Sequence, residues 1–249
     1  MKHRFNPRQS NVIFEEKEQR LHIIIESKQL IISSLELSDK QNCFDIFGDP
    51  LVMEKYADGL PYTEEKKQDR FNMWTNRWQN HDPFSAYKVI EKKSGEFIGI
   101  IGIGQESRGE SELFYALKTS HWGKGYGKEM VQSMLHSLVP QLMIRGYKCM
   151  SAHLKMIEAD VDQKNEASLK ILRRIGFQQT GFKQRFGSER AFFQISAKQL
   201  KNQYLGFFNR LNQQQYQAKR LQHLNDEAEI TMAEMAASPF GQRLNQSSK

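Results

Sequence analysis

From Trp122 to Lys128 the chain reads Trp-Gly-Lys-Gly-Tyr-Gly-Lys, between an apolar run and an amphipathic one. Gly123, Gly125 and Gly127 alternate, so one side of a tight turn lacks Cβ atoms and successive backbone N–H groups can face one point. A helix opening at the turn adds its own unpaired N–H groups and the positive end of its dipole. The chemistry implied is anion binding, a seat for a phosphate or pyrophosphate. A nucleotide-hydrolase loop would follow Gly127-Lys128 with a Ser or Thr to hold Mg²⁺, but Glu129 stands there. A dinucleotide fold would space its glycines as Gly-x-Gly-x-x-Gly in an early βαβ unit, and this turn follows a hairpin instead.

The elements that must position this turn are legible by period and punctuation. Residues 1–20 are polar and charged, and read as a loose arm or an added turn of helix. Leu21–Leu37 alternates around Lys28-Gln29 as two short strands. Ser38-Asp39 is an N-cap for a helix carrying Cys43, Phe44, Ile46 and Phe47. Thr63-Glu64-Glu65 opens another, in which Phe71, Trp74 and Trp78 recur at helical spacing, a core stripe. Phe84–Glu91 and Glu96–Ile103 form a hairpin about Lys93-Ser94-Gly95, and Ser111–Leu117 is the strand that feeds the glycine turn. Lys128–Arg145 is helical, with Met130, Met134, Leu135, Leu138 and Leu142 on one face. Met156–Asp162 is a strand, Asn165–Ile175 a helix closed by Gly176, and Phe177–Phe182 and Ala191–Ile195 finish the sheet. Tyr147–Lys155 lies between helix and strand without an assigned role. His121 beside the turn reads as a surface residue at a strand end. No His or Cys spacing suits a metal, and none is expected.

Composition sets bounds rather than choices. The chain has 249 residues, a net charge of +7 and 39% apolar residues. Its mean hydropathy of −0.68 implies one well-buried domain with part of the chain outside the core. Lys and Arg are scattered without long runs, so the basic surface reads as solvated rather than as a nucleic-acid face. Cys43 and Cys149 form no disulfide framework. The chain begins without a signal-like apolar run and has no stretch of about 20 apolar residues, so a cytoplasmic, non-membrane protein is expected. From Ala197 onward Gln and Asn dominate. Residues 197–235 read as a helical extension, which would pack on the domain, pair with a second copy or bind a partner; residues 236–249 read as disordered.

The order strand, Gly-x-Gly turn, helix and strand, followed by Asn165-Glu166-Ala167-Ser168 and Leu172-Arg173-Arg174-Ile175-Gly176-Phe177, resembles the GNAT superfamily of N-acyltransferases across residues 21–196. The run Trp-Gly-Lys-Gly-Tyr, with Val161–Ser168, resembles the subgroup of ribosomal-protein N-terminal acetyltransferases. Trp122 replaces the usual Gln or Arg of the family motif. The resemblance implies an α+β fold, a strongly twisted, mostly antiparallel sheet splayed into a V at its middle, with helices on both faces. It implies acetyl-CoA as cofactor and acyl donor, its pyrophosphate on Trp122, Gly123, Lys124, Gly125, Tyr126, Gly127 and Lys128. Pantetheine would then run along the strand edge Glu112–Leu117, with Asn165 on the pantetheine arm and Ser168 near the sulfur. Apart from the resemblance, Asn165 is equally a helix N-cap and Ser168 a small contact residue.

The implied reaction is direct attack by an amine, with a protein N-terminal α-amine as leading acceptor and a polyamine, aminoglycoside or other small amine behind it. Glu112 is the candidate general base and Ser168 the remaining candidate acid, because Leu172 occupies the position where many relatives carry a Tyr. A non-catalytic acyl-CoA-binding module is the alternative from another class.

Overall fold

The computed structural model describes residues 10–237. Six strands precede the glycine turn: β1 (Asn11–Lys17), β2 (Arg20–Glu26), β3 (Leu30–Ser34), β4 (Ala86–Glu91), β5 (Phe97–Ser107) and β6 (Glu110–Leu117). Five follow it: β7 (Lys148–Cys149), β8 (Ala152–His153), β9 (Met156–Asp162), β10 (Gln178–Arg185) and β11 (Ser188–Ser196). Nine of them form one sheet in the order β1-β2-β3-β4-β5-β6-β9-β11-β10, and β7 with β8 makes a small separate ribbon. Every adjacent pair in the large sheet is antiparallel except β6 with β9, which run parallel. That ladder reaches only from Glu110↔Met156 to Glu112↔Glu158. Beyond Glu112 the two strands part, which is the expected V.

Three helices precede the central hairpin: α1 (Lys40–Gly48), α2 (Pro50–Met53) and α3 (Glu64–Gln79). After the glycine turn come α4 (Tyr126–Ser133), a π-helical turn over Met134–Leu138, and α5 (Val139–Ile144). The widening has a local cause. Pro140 has no N–H to give and its ring crowds the carbonyl of His136, so the ladder loosens just before it. Helix α6 (Glu166–Ile175) follows β9, and α7 (Ala197–Ala237) follows β11. The apolar faces expected from sequence are in the core: Met130, Met134, Leu135, Leu138 and Leu142 are fully buried, as are Trp78 and, nearly so, Phe71 and Trp74.

Several sequence expectations need correction. Residues 11–17 are not a loose arm or a helical turn: they form the edge strand β1, paired along its whole length with β2. Val12, Phe14 and their neighbours are only partly buried, so polar alternation concealed a strand whose outer side faces water. Asp39 does not cap α1 with its side chain. Its carboxylate accepts from the Glu36 N–H at 2.7 Å and from Lys88 at 2.9 Å, beside a 3-10 turn at Leu37–Asp39. The stretch Tyr147–Lys155 holds the β7–β8 ribbon. The chain divides into compact units at Tyr204/Leu205, so the first turns of α7, with Ala197 and Leu200 buried, belong to the first unit. Of the expected disordered tail, Ala236 and Ala237 end α7, and residues 238–249 lie outside the described residues. Among the described residues no helix is long and apolar enough to cross a membrane.

Candidate active site

The glycine turn stands where β6 ends. A 3-10 turn at Thr119–His121 reverses the chain, and α4 opens at Tyr126. Gly123 and Gly125 adopt φ of +74° and +87°, and a Cβ on either would meet nothing within 4 Å. Backbone conformation, not crowding, demands these two glycines, and the space above them is open. Gly127 differs: a Cβ there would approach Ile171 Cδ1 to 3.1 Å, so its hydrogen lets α4 and α6 pack closely.

Trp122 N–H bonds the Thr119 carbonyl at 3.1 Å, and Glu129 N–H closes the first helical bond to Gly125 at 3.1 Å. Between them, the N–H groups from Gly123 to Lys128 have no backbone acceptor among the described residues. The cradle therefore starts one residue later than the sequence motif implied, because the Trp122 backbone is already committed. Its indole is committed too, donating to the Leu117 carbonyl at 2.9 Å while the ring stays half exposed.

Carboxylate contacts hold this turn still. Glu129 accepts from Ser27 Oγ at 2.7 Å, Gln29 N at 2.6 Å and Gln29 Nε2 at 2.8 Å, tying α4 to the β2–β3 turn. The residue that ruled out a Mg²⁺ hydroxyl is thus an anchor, sited where a negative charge also favours the helix start. The Tyr126 hydroxyl donates to Glu91. His121 is not the surface residue its position implied. It is buried, with Nδ1 3.0 Å from Ser120 Oγ and Nε2 3.7 Å from Glu96.

A cleft of about 700 Å³ runs from this turn along Tyr115, Ala116 and Leu117 to Asn165 and Ser168 on α6. Its wall is the edge of β6 that β9 leaves unpaired. Asn165 caps α6, its Oδ1 accepting the Ser168 N–H at 3.1 Å. Leu172 is fully buried and offers no donor.

A second, smaller pocket of about 110 Å³ opens on the other side of the same wall. Tyr56, Tyr62, Trp74 and Phe114 give it aromatic sides, and a charged lattice lies across it. Arg185 Nη1 reaches Glu112 Oε1 at 2.5 Å and Asp160 Oδ2 at 2.6 Å, while Nη2 reaches Glu112 Oε2 at 3.2 Å. Arg190 donates through Nε to Asp160 and through Nη1 to the Ala57 carbonyl at 3.2 Å. The side chains of Arg190 and Asp160 are only 5% and 4% exposed. Burial pushes the Glu112 carboxyl above its ordinary pKa, and the hydrogen bond and charge of Arg185 pull it back. Glu112 thus faces the pocket as expected, but as one member of a paired lattice rather than a lone base.

Lys55, Tyr56, Tyr115, Asn165 and Ser168 line both cavities, so the two meet there. Of the residues picked from sequence, Glu112 lies on the small-pocket side, the glycine turn and Leu117 on the cleft side, and Asn165 with Ser168 at the junction. Tyr115, Asp160, Arg185 and Arg190 were missed. Asp160 sits in a strand that alternates, and Arg185 and Arg190 flank the Phe186-Gly187 turn of a hairpin, so only their charge in a sheet hinted at a partner. Among the described residues no group of His, Cys, Asp and Glu could hold a metal.

The site thus combines a turn of backbone N–H groups without backbone acceptors, a splayed strand edge and a second pocket that meets the cleft at Asn165 and Ser168. The chain belongs to the acetyltransferase (GNAT) domain family, whose model matches residues 29–178, and its class is N-acetyltransferase. An uncharacterized N-acetyltransferase p20 of Bacillus licheniformis is 28% identical over 157 residues, covering 62% of this chain and 82% of the relative. A ribosomal L7/L12 alpha-N-protein acetyltransferase solved with coenzyme A superposes with a TM-score of 0.55 at 14% identity, covering 70% of this chain and 97% of that one. A spermidine N-acetyltransferase of Vibrio cholerae, solved with CoA and spermine, gives 0.53 at 14%, covering 71% and 98%. These two establish the shared fold.

Proposed function

We propose that this acetyltransferase takes acetyl-CoA as donor and a protein N-terminal α-amine as acceptor, in the manner of the ribosomal-protein subgroup. The observation that carries the reading is the meeting of the cradle cleft and the small pocket at Tyr115, Asn165 and Ser168. The diphosphate rests on the N–H groups from Gly123 to Lys128, with the Lys124 and Lys128 charges beside it. Pantetheine lies against the free edge of β6 up to Leu117, and the Asn165 amide and Ser168 hydroxyl face its reactive end. The residues present fit such a molecule: the turn has open space above it and unspent donors within it.

For the acceptor, the charge of the small pocket supports an α-amine over a polycation. Glu112 and Asp160 are both paired with guanidinium groups, and Arg70 and Lys55 line the same pocket. Among the residues lining that pocket, no free carboxylate remains to receive a second ammonium group. An α-amine, with an ordinary pKa of about 7.7–8.0, is roughly one-tenth to one-sixth neutral at pH 7, hundreds of times more than an amine of pKa about 10.4, and Glu112 takes the proton of the attacking amine directly or through one water. The test is thiol release with a panel of free peptides, N-blocked peptides and spermidine. Free peptides should exceed spermidine in kcat/KM by about tenfold or more, one screened ion pair's worth or greater. Faster transfer to spermidine would overturn the acceptor assignment, and turnover of none of them alongside tight acetyl-CoA binding would overturn the catalytic one.

A further inference from the structure

The small pocket holds more positive charge than its lattice engages. Glu112 and Asp160 are matched by Arg185 and Arg190, and Glu106 approaches Arg185 from outside the lining at 3.8 Å. Two further cations, Lys55 and Arg70, also line the pocket, and both are exposed. Among the described residues neither makes an ion pair or a hydrogen bond. On α3 the contrast with neighbouring cations is plain. Lys66 reaches Asp58 at 3.4 Å and Lys67 reaches Glu64 at 2.5 Å, whereas Arg70, one turn further on, has no carboxylate. Its charge is felt by Tyr56 and Tyr62: burial pushes both phenols up, and Arg70 acts the other way. Lys55 lines both cavities and Arg70 the small pocket alone. That pocket is only about 110 Å³, so a peptide whose first nitrogen lies at the junction must carry its later residues out through the mouth.

We propose that Arg70 is a specificity-determining residue, receiving the carboxylate of an acidic second residue in the acceptor peptide. The proposal rests on the α-amine reading above and narrows it to one class of N-terminus. A guanidinium offers a carboxylate two parallel N–H donors, so it selects by geometry as well as by charge. Because Arg70 has no partner to release, an arriving carboxylate displaces only water. Lys55, at the junction, repels a second ammonium group and leaves the carboxylate to Arg70. A basic second residue meets like charge from both, which costs encounter rate as well as affinity. The contact lies away from the reacting atoms and is the same in ground and transition states. It therefore lowers KM more than it raises kcat.

The test uses peptides with one neutral, amidated tail that begin Ser-Glu, Ser-Gln or Ser-Lys. Thiol release at saturating acetyl-CoA gives kcat and KM for each. The intact protein should favour the Glu peptide over the Gln peptide by about fivefold in kcat/KM, chiefly through KM, with the Lys peptide last. Raising salt from about 0.05 to about 0.5 M should shrink that margin. Arg70→Gln should melt at the wild-type temperature, since the side chain is exposed, and bring the Glu-to-Gln ratio close to one. Arg70→Glu should reverse the order and place the Lys peptide first, an inversion that a merely structural role would not produce. A ratio near one in the intact protein, or the same preference kept in both variants, would overturn the role of Arg70 while leaving the α-amine assignment intact. Turnover of none of the peptides would instead overturn that assignment, and the proposal with it.

Discussion

The cleft proposed for the donor and the pocket proposed for the acceptor share a wall but are made of different material. The cleft is a backbone device: two left-handed glycines, a row of unspent N–H groups and an unpaired strand edge. The pocket is a side-chain device: aromatic walls crossed by Glu112, Arg185, Asp160 and Arg190. Backbone geometry recognises what is constant in a substrate, and it tolerates change in nearby side chains. A lattice of paired charges recognises what varies, and each of its members depends on the others. One wall can therefore serve a fixed donor and a changeable acceptor.

Three substitutions separate the two devices. Gly125→Val places a β-branched residue at φ +87° and directs its side chain into the open seat. CoA affinity measured by calorimetry should fall by about 1,000-fold, from backbone strain and lost space together. Wild-type affinity would show that the seat lies elsewhere. Arg190→Gln acts on the other device. It leaves Asp160, almost wholly buried, with one guanidinium in place of two. Urea unfolding should report a loss of about 3 kcal/mol, with CoA affinity of the folded protein unchanged; a loss of CoA affinity would show that the lattice supports the cleft as well.

Glu112→Gln should have the smallest effect. Transfer to an α-amine should slow by about 30-fold with CoA affinity intact, since an amine of lower pKa asks less of a base than a lysine would. The pH profile supplies the sign. Glu112 must be ionised to accept a proton, and burial holds its pKa above the ordinary value. The wild-type rate, corrected for the fraction of free amine, should therefore fall on acidification at a higher pH than an ordinary carboxylate would give. Glu112→Gln should lack that limb, and an unchanged limb would remove Glu112 from the chemistry.

The contrast also explains what could be read from the sequence. A backbone device requires glycines at set spacing, a helix start and an Asn cap, all local in the chain. The turn around Gly125 and the cap at Asn165 were accordingly visible, as were the strands and helices whose apolar periods matched their burial. A side-chain lattice joins residues far apart in sequence. Glu112, Asp160 and Arg185 stand on β6, β9 and β10, and nothing in the spacing from 112 to 185 announces that they touch. Edge strand β1 escaped for a different reason: with one side wet, its alternation looks like polar chain until β2 pairs with it. His121 shows the reverse error, a single residue judged by position and then found buried against Glu96.

The anchor at Glu129 gives this molecule a lever far from its chemistry. The seat's stiffness is borrowed from Ser27 and Gln29, two residues of the β2–β3 turn that hold the Glu129 carboxylate. Slackening that bend would make the seat fluctuate, and every donor molecule would then have to freeze it afresh on arrival. Drift at positions 27 and 29 is thus a way to retune donor hold while every group that meets the ligand stays as it is.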